Sequence, residues 1–242
     1  MGLLENKERI GAFTSSEIYK LMSVAKDGKS FGKPAIEYIK DKRYEKLLGR
    51  SLNNESNAKS LSWGKFIESR VFNLLGTEYK MCSTDTIVNP DISYHAGSPD
   101  CEKFEENTKV VCDIKCPITL KSFCELVDCK TTDELIENHK AGSQYVWQLI
   151  SNAILTNAKY CELIIYVPYL SELKEIRDEA SMFDGNQNKI AWIFYSEDNE
   201  LPYLIEGGHY KNLNIIRWEV TETSKQQLIE KIKEAGKLLL KA

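Results

Sequence analysis

The 242-residue sequence predicts an α/β (α+β) fold in which helices flank one central mixed sheet. Residues 160–167 form an apolar run that ends at Pro168, as expected of a strand that is buried on both faces. Residues 143–157, just before that run, repeat apolar side chains at helical spacing. Helical and strand-like segments alternate along the rest of the chain without an internal repeat or a low-complexity linker. We therefore expect a single domain that spans residues 1–242.

The N-terminal part predicts helices and loops. Apolar spacing indicates a helix over 15–25 that Ser15 or Ser16 could cap. A helix over 34–48 opens at Pro34, which is a favoured first helical residue. Further polar and apolar patterns predict a basic, glycine-containing loop over 26–33, a polar loop over 50–61 and a helix over 63–75 capped by Ser62.

The remaining segments supply the sheet and its covering helices. Residues 85–89 and 92–97 predict short strands joined by a turn at Pro90, and residues 109–116 predict a further strand that could pair with 92–97 as a hairpin. The other predicted elements are a helix near 119–127, strands over 189–195 and 213–220, and a closing amphipathic helix over 224–240.

Composition argues against membrane insertion and secretion. No stretch reaches the roughly 20 consecutive apolar residues of a membrane span, and the first residues lack the pattern of a secretory signal. Seven cysteines, an odd number, are expected to be reduced thiols in a cytosol. None of the spacings among residues 112–129 is that of a zinc knuckle, so small core side chains are the preferred interpretation of these cysteines.

The charge distribution is more informative than the net charge of −4. Residues 1–80 carry 15 basic and 10 acidic side chains, whereas residues 81–242 carry 17 basic and 26 acidic ones. A basic N-terminal third beside an acidic remainder indicates one face that could bind a polyanion. The alternative is that Lys40, Lys42, Arg43 and Lys46 form the solvated side of the 34–48 helix.

Candidate catalytic residues lie at the end of the 109–116 strand. Asp113 and Lys115 are two positions apart, so both point to the same face. Asp100 follows Pro99 on a stiff bend, and pairing of the flanking strands would bring it to Asp113. Two converging carboxylates suit Mg²⁺, which prefers oxygen ligands. The alternatives are an edge strand with a solvated face and an ordinary turn aspartate.

Two helices add candidates. Glu68 lies beside the apolar stripe of the 63–75 helix, either as a boundary residue or as an inward-facing ligand. Gln144 and Gln148 lie opposite the apolar face of the 143–157 helix, where solvated glutamines are the ordinary interpretation.

Taken in order, these segments resemble the PD-(D/E)XK nuclease superfamily and, within it, the phage lambda exonuclease and YqaJ-type viral recombinase family. The segments that carry the resemblance are residues 9–17, 57–68, 98–100, 113–117, 145–148 and 166–168. The sequence departs from the family pattern at three positions. Asp113 stands where close relatives often have glutamate, Cys101 stands where a glycine is usual, and Val167 replaces an acidic residue.

The resemblance implies a Mg²⁺-dependent 5′-to-3′ exonuclease on double-stranded DNA that produces 3′ single-stranded tails during phage or prophage recombination. Asp100, Asp113 and the main-chain carbonyl of Ile114 would bind one or two Mg²⁺ ions, for which Mn²⁺ could substitute. Glu68 would bind metal or its water shell. Lys115 would orient or stabilise the attacking water, and Gln148 would position Lys115, the water or the phosphate.

The resemblance also implies a pocket for the 5′ phosphate, formed by Arg9, Ser16 and Ser98. Lys29 and Lys33 of the basic loop would contact the duplex backbone without reading its sequence. Residues 1–60 would then face DNA, 61–170 would form the catalytic core, and 171–242 would complete the scaffold.

The implied partners are double-stranded DNA ends, a single-strand annealing protein and further copies of the chain, with a trimer as one form of homo-oligomer. Two alternatives stay open. One is a structure-specific or restriction-type DNA endonuclease on the same fold, and the other is a non-catalytic DNA-binding module.

Overall fold

A computed structural model describes residues 7–52, 58–82, 85–183 and 187–240, without the side chains of 187 and 188. Predictions for the first six residues and for the middle of the 50–61 loop, including Asn57 of the family-like segment, lie outside the described residues. The strands are β1 (Phe13–Thr14), β2 (Tyr79–Met81), β3 (Ile87–Asn89), β4 (Ile92–Gly97), β5 (Cys101–Glu105), β6 (Thr108–Lys115), β7 (Tyr160–Tyr166) and β8 (Leu213–Glu219). The α-helices are α1 (Lys33–Leu48), α2 (Lys59–Leu74), α3 (Leu120–Val127), α4 (Thr132–Asn138), α5 (Gly142–Thr156), α6 (Leu173–Met182), α7 (Gln187–Tyr195) and α8 (Glu222–Leu239), and a 3₁₀ helix spans Ser15–Met22.

The central sheet is mixed and has the strand order β2-β5-β6-β7-β8. Among the described strands of this sheet, β6 and β7 run parallel and are joined by a crossover that contains α3, α4 and α5, whereas the other neighbours are antiparallel. Strands β5 and β6 form a hairpin whose two turn residues, Glu106 and Asn107, have φ values of 45° and 67°. Positive φ at both positions matches the right-handed twist of the paired strands.

Side chains from alternate positions of the central strands enter two apolar layers. On one face, Val111 and Leu163 pack with α5, α8 and α3. On the other face, Val110 and Ile164 pack with α2, α6 and α7. This explains why residues 160–167 are apolar throughout, since both faces of β7 are covered. Within the described ranges, no helix combines the length and the apolar character that a bilayer crossing requires.

The prediction of a single mixed sheet is incomplete, because a second, three-stranded sheet has the order β1-β4-β3. In it, β1 runs parallel to β4, with Phe13 opposite His95 and Thr14 opposite Ala96. The hairpin considered between 92–97 and 109–116 therefore does not form. The hairpin partner of β6 is β5, a strand that the sequence did not predict.

Three further predictions need correction. Residues 189–195 are helical, within α7, because Ile190 and Ile193 are buried one helical turn apart. Ser62 lies inside α2 rather than capping it, and its hydroxyl donates to the carbonyl of Lys59. The 15–25 helix is the shorter 3₁₀ helix, whose N-cap residue is Thr14. The helices predicted over 34–48, 119–127, 143–157 and 224–240 and the strands over 160–167 and 213–220 are confirmed to within a few residues.

Candidate active site

The four charged residues singled out by the sequence come from three elements that meet at one end of the central sheet. Asp113 and Lys115 end β6, Asp100 directly precedes β5, and Glu68 lies on α2. The β5–β6 register pairs Cys101 with Cys112, so Asp100 stands opposite Asp113. The Asp100 Oδ2 atom accepts a hydrogen bond from the backbone N–H of Ile114 at 2.7 Å, which holds this carboxylate against β6.

Asp113 has no exposed surface. Its Oδ1 atom accepts a hydrogen bond from Gln148 Nε2 at 2.8 Å. Its Oδ2 atom lies 2.5 Å from Lys115 Nζ as an ion pair, yet accepts no hydrogen bond of ordinary geometry. Gln148 is 8% exposed, so the interpretation of this residue as a solvated glutamine is wrong. The two buried polar groups satisfy part of each other's hydrogen-bonding capacity.

The carboxylates are crowded enough to change their proton affinities. Burial raises the pKa of Glu68, and the negative charge of Asp113 raises it further. Burial also raises the pKa of Asp100 well above its ordinary value, with added repulsion from Asp113 and Glu68. Like charges that share a desolvated site favour the neutral acid unless a cation compensates them. The site therefore has an affinity for positive charge.

Lys115 supplies part of that charge. Burial alone would lower its pKa, but the carboxylates of Asp113 and Asp100 outweigh burial and raise the pKa above its usual value. The Lys115 ammonium also lies 5.0 Å from the ring centre of Tyr145, within cation–π distance. Lys115 is thus a fixed cation at neutral pH.

Glu68, Ile114 and Lys115 line an open cleft of 610 Å³. Gly64 lines the same cleft one turn before Glu68, and a Cβ atom there would meet nothing within 4 Å. Tyr145, on the first turn of α5, forms part of the opposite wall. The sequence analysis placed Tyr145 in a family-like segment without a role of its own, although its spacing of three from Gln148 puts both residues on neighbouring faces of α5.

The predicted phosphate-binding residues are partly brought together. Arg9 Nη1 donates to Ser98 Oγ at 3.2 Å, and Thr86 Oγ1 lies 3.3 Å from the same hydroxyl. Ser16 contributes its backbone carbonyl, which accepts a hydrogen bond from Gln144 Nε2 at 3.1 Å. Gln144 is thus another glutamine of α5 with a structural partner.

The two lysines of the basic loop lie elsewhere. Lys29 and Lys33 are exposed and do not line the cleft. The loop is ordered by Asp27, whose carboxylate accepts hydrogen bonds from the backbone N–H groups of Lys29 and Ser30. These lysines are available for a ligand that extends beyond the cleft.

The donor set fits a hard divalent cation in its chemistry. Glu68 and Asp100, whose pKa values are raised, and Asp113, whose buried Oδ2 atom lacks a hydrogen bond of ordinary geometry, supply the oxygen ligands that Mg²⁺ prefers. In the part of the chain that the structure describes, no three such side chains already converge at coordination distance. Lys115, which is paired with Asp113 Oδ2, would have to move for that oxygen to bind a cation.

No protein-family model matches the chain, and no curated protein matches it significantly. Solved structures do match. An alkaline exonuclease (LHK-Exo) from Laribacter hongkongensis, in a structure with dAMP and in a second structure, has a TM-score of 0.58 at 16% identity over 97% of this chain and 90% of that chain. A phage-related exonuclease from Haemophilus somnus 129PT has a TM-score of 0.57 at 15% identity over 95% and 92% of the two chains. The chain has the fold of these exonucleases.

The exonuclease fold accounts for nearly the whole length of the chain, from the basic N-terminal part to α8. The resemblance inferred from short sequence segments is therefore confirmed at the level of the fold. At 15–16% identity the fold similarity assigns no residue a role, so the functions of the site residues depend on the geometry described above.

Proposed function

We propose that the chain is a divalent-metal-dependent exonuclease that removes nucleotides from the 5′ ends of double-stranded DNA and leaves 3′ single-stranded tails. The observation that carries the proposal is the convergence of Glu68, Asp100 and Asp113 on Lys115, within an exonuclease fold. The dAMP in one LHK-Exo structure supports it, because a nucleoside monophosphate is what an exonuclease releases.

Asp100, Asp113, the carbonyl of Ile114 and Glu68 are the proposed metal ligands. A bound Mg²⁺ or Mn²⁺ would offset the negative charge that develops on the phosphate and lower the pKa of a coordinated water. Lys115 lies beside Asp113 and Asp100, whose carboxylates raise its pKa, so we assign it an electrostatic role. Its role is to hold the attacking oxygen and to stabilise negative charge on the pentavalent phosphorus.

Gln148 orients this arrangement. Its amide nitrogen donates to Asp113 Oδ1, which turns the other carboxylate oxygen towards Lys115 and the cleft. A hydrogen-bonded neighbour that fixes the orientation of a metal-binding carboxylate commonly contributes to metal affinity and activity.

The 5′-phosphate preference is proposed for Arg9 and Ser98. An arginine guanidinium can take two phosphate oxygens, and a hydroxyl beside it adds a further donor. Ser16 is kept in the proposal because it lies two residues after β1, which runs parallel to β4, the strand that Ser98 directly follows. Lys29 and Lys33 are proposed to contact the duplex backbone farther from the cut.

The wider biological assignments stay predictions. They are a role in phage or prophage recombination, an annealing-protein partner, a homo-oligomer such as a trimer, a bacterial cytoplasmic location and the division of the domain at residues 60 and 170.

Cleavage of matched DNA substrates tests the proposal. The unmodified protein with Mg²⁺ should degrade linear duplex from 5′-phosphorylated ends, leave closed circles intact and lose activity in a chelator. Lys115→Ala should reduce the rate roughly 10²–10³-fold, the usual effect of removing one group that stabilises the transition state, while DNA affinity is retained. Lys80→Ala, which removes an exposed lysine of β2, is the matched control.

Each alternative has its own result. Cleavage of closed circles would favour the endonuclease. Binding without cleavage in any divalent metal would favour the non-catalytic module. A Lys115→Ala variant as active as Lys80→Ala would remove Lys115 from the mechanism.

A further inference from the structure

A second cavity adjoins the active-site cleft. It has a volume of 740 Å³ and is enclosed by the start of α3, the end of α4 and the start of α5. We call it the side trough and define it by Tyr19, Lys121, Ser122, His139 and Lys140. It shares four lining residues with the cleft: Thr119, Ser122, Gln144 and Tyr145. The two cavities are therefore one continuous depression that runs past Lys115 and Tyr145.

The side trough is separate from the proposed phosphate pocket. Arg9 and Ser98 line neither cavity. A DNA strand whose 5′ end lay at Arg9 and whose cut phosphate lay at Lys115 would have to continue into some other part of the surface. The side trough meets the cleft at Tyr145 and Gln144, on the α5 side of the cleft that Lys115 lines.

The charge of the side trough suits phosphate. The Lys121 side chain is 86% exposed, and Lys140 is also exposed. Glu125 is the one acidic residue among its described lining side chains, and it lies 3.6 Å from Lys121 one helical turn away. The remaining lining side chains are hydroxyls, amides and rings, so the side trough carries a net positive charge.

His139 orients the hydroxyl group of Ser122, which lines both cavities. Its Nδ1 atom accepts a hydrogen bond from the backbone N–H of Ala141 at 3.1 Å, so the ring proton is assigned to Nε2. That Nε2–H donates to Ser122 Oγ at 2.8 Å. The Ser122 hydroxyl oxygen therefore accepts a hydrogen bond from His139. The hydrogen of the same hydroxyl can be donated to a ligand in either of the two cavities that Ser122 lines. Burial lowers the pKa of His139, which keeps the ring neutral and the arrangement intact at neutral pH.

The size of the side trough limits what can enter. A volume of 740 Å³ lies within the roughly 300–1,000 Å³ of small-ligand pockets, enough for one or two nucleotides but not for a duplex. The ring of Tyr145 already contacts His139, at 5.7 Å between centroids, and Lys115. Tyr19 is the lining aromatic residue left to contact a base.

We propose that the side trough binds unpaired nucleotides of the DNA strand being cut, with Lys121, Lys140 and Ser122 on their phosphates. The inference rests on the proposed nuclease function, because it assigns the ligand of the depression that contains Lys115. Lysine contacts to phosphates and an aromatic surface for bases are the usual means of holding a single strand without reading its sequence.

Binding of a frayed DNA end tests the inference. The probe is a 5′-phosphorylated duplex with about three mismatched nucleotides at that end, labelled at the other end and compared with a fully paired duplex. Binding is followed by fluorescence anisotropy in a chelator at several salt concentrations. The test variant is Lys121→Ala/Lys140→Ala, and the matched control is Lys130→Ala/Lys174→Ala, which removes two exposed lysines that line neither cavity.

The test variant should bind the frayed end roughly 10-fold more weakly than the control variant does. Its plot of log affinity against log salt should be shallower by about 1.4, because each phosphate contact to a single strand contributes about 0.7 to that slope. For the fully paired duplex the two variants should behave alike. Ser122→Ala should weaken frayed-end binding without changing the slope.

Equal frayed-end affinities and equal salt slopes for the two double variants would overturn the inference. The unmodified protein is assayed in parallel for cleavage of the same frayed substrate with Mg²⁺. If it cleaves while the double variants bind alike, only the side-trough inference fails. If it does not cleave but the double variants still differ, the nuclease proposal fails and the single-strand site stands.

Discussion

His95 should make the stability of the fold depend on pH below neutrality. This residue lies on β4 with no exposed surface. Its Nε2 atom is 2.8 Å from Ser151 Oγ on α5, and its Nδ1 atom is 3.2 Å from Asn89 Nδ2 on β3. Burial lowers its pKa to about 4. His95 therefore connects the small sheet to α5 as a neutral ring.

The sign and size of the effect follow from the two protonation equilibria. In the unfolded chain the ring binds a proton below about pH 6.5, whereas the folded protein binds one only near pH 4. The unfolded state thus binds more protons between these values, and the free energy of unfolding falls as the pH falls. Linkage gives a loss of about 2.5 kcal/mol between about pH 8 and about pH 4.5.

Urea unfolding of the unmodified protein and of His95→Gln at these two pH values measures this effect. Carboxyl groups also titrate in this range, so the relevant quantity is the stability difference between the two proteins rather than either stability alone. That difference should shrink by about 2.5 kcal/mol on going to the lower pH. His209→Gln, at an exposed histidine, should show no such change. A difference that is the same at both pH values would refute the assignment of His95 as a buried neutral ring.

Three further predictions concern the site and its support. Gln148→Leu removes the hydrogen-bond donor to Asp113. Steady-state cleavage assays should show a kcat lower by roughly 10–100-fold, with DNA affinity unchanged. An unaltered kcat would show that the Asp113 carboxylate does not need to be oriented by Gln148. Glu45→Leu leaves Lys42, which is 4% exposed, without its partner at 2.9 Å, so urea unfolding should show a loss of about 3–5 kcal/mol. Adding Lys42→Met should recover part of that loss, and no recovery would mean that the loss comes from other contacts of Glu45. Leu163→Ala empties a fully buried position of β7 and should reduce the free energy of unfolding by about 2–5 kcal/mol, and a much smaller loss would contradict the close packing of both sheet faces.

The sequence predicted best those elements whose burial is uniform. Residues 160–167 are apolar at every position because both faces of β7 are covered, and a run of that length with a proline after it has few other interpretations. The closing helix was equally clear, because Leu228, Ile232 and Ala235 repeat at helical spacing and all three are buried in the structure.

Short apolar runs were the main source of error. In α7, Ile190 and Ile193 are buried, whereas Phe194 and Tyr195 are exposed, and a run of this kind fits a strand as well as a helix. What decides in favour of the helix is contact with α2 and α6, which no local pattern contains. β5 was missed for a related reason. Its charged Lys103 is stabilised inside the fold by Glu162 on β7, 2.9 Å away, so the strand does not show a simple apolar alternation.

The candidate site was predicted in spite of the wrong strand pairing. The sequence placed Asp100 at the end of a strand that pairs with β6, whereas it lies at the start of β5, which does pair with β6. Asp100 lies in the short connection between β4 and β5. If β4 paired with β6, Asp100 would follow the end of the pairing strand, and because β5 pairs with β6, Asp100 precedes its start. In both cases Asp100 comes to lie beside Asp113. The position of Asp100 beside Asp113 could therefore be predicted correctly although the wrong strand was paired with β6.

The two glutamines of α5 were interpreted as solvated because they lie opposite the apolar face of the helix, and this interpretation is wrong for Gln148, which is buried. One face of α5 packs on the central sheet and another on the 3₁₀ helix, so residues opposite the apolar stripe are covered as well. Gln144 and Gln148 are consequently held by Ser16 and Asp113 instead of by water. The buried carboxylate of Asp113 and the buried amide of Gln148 each require a hydrogen-bond partner. For neither residue does the local sequence pattern indicate which residue that partner is. Two polar residues on elements that cover each other are therefore good candidates for a hydrogen-bonded pair, and in this fold the pair is Gln148 with the proposed catalytic carboxylate of Asp113.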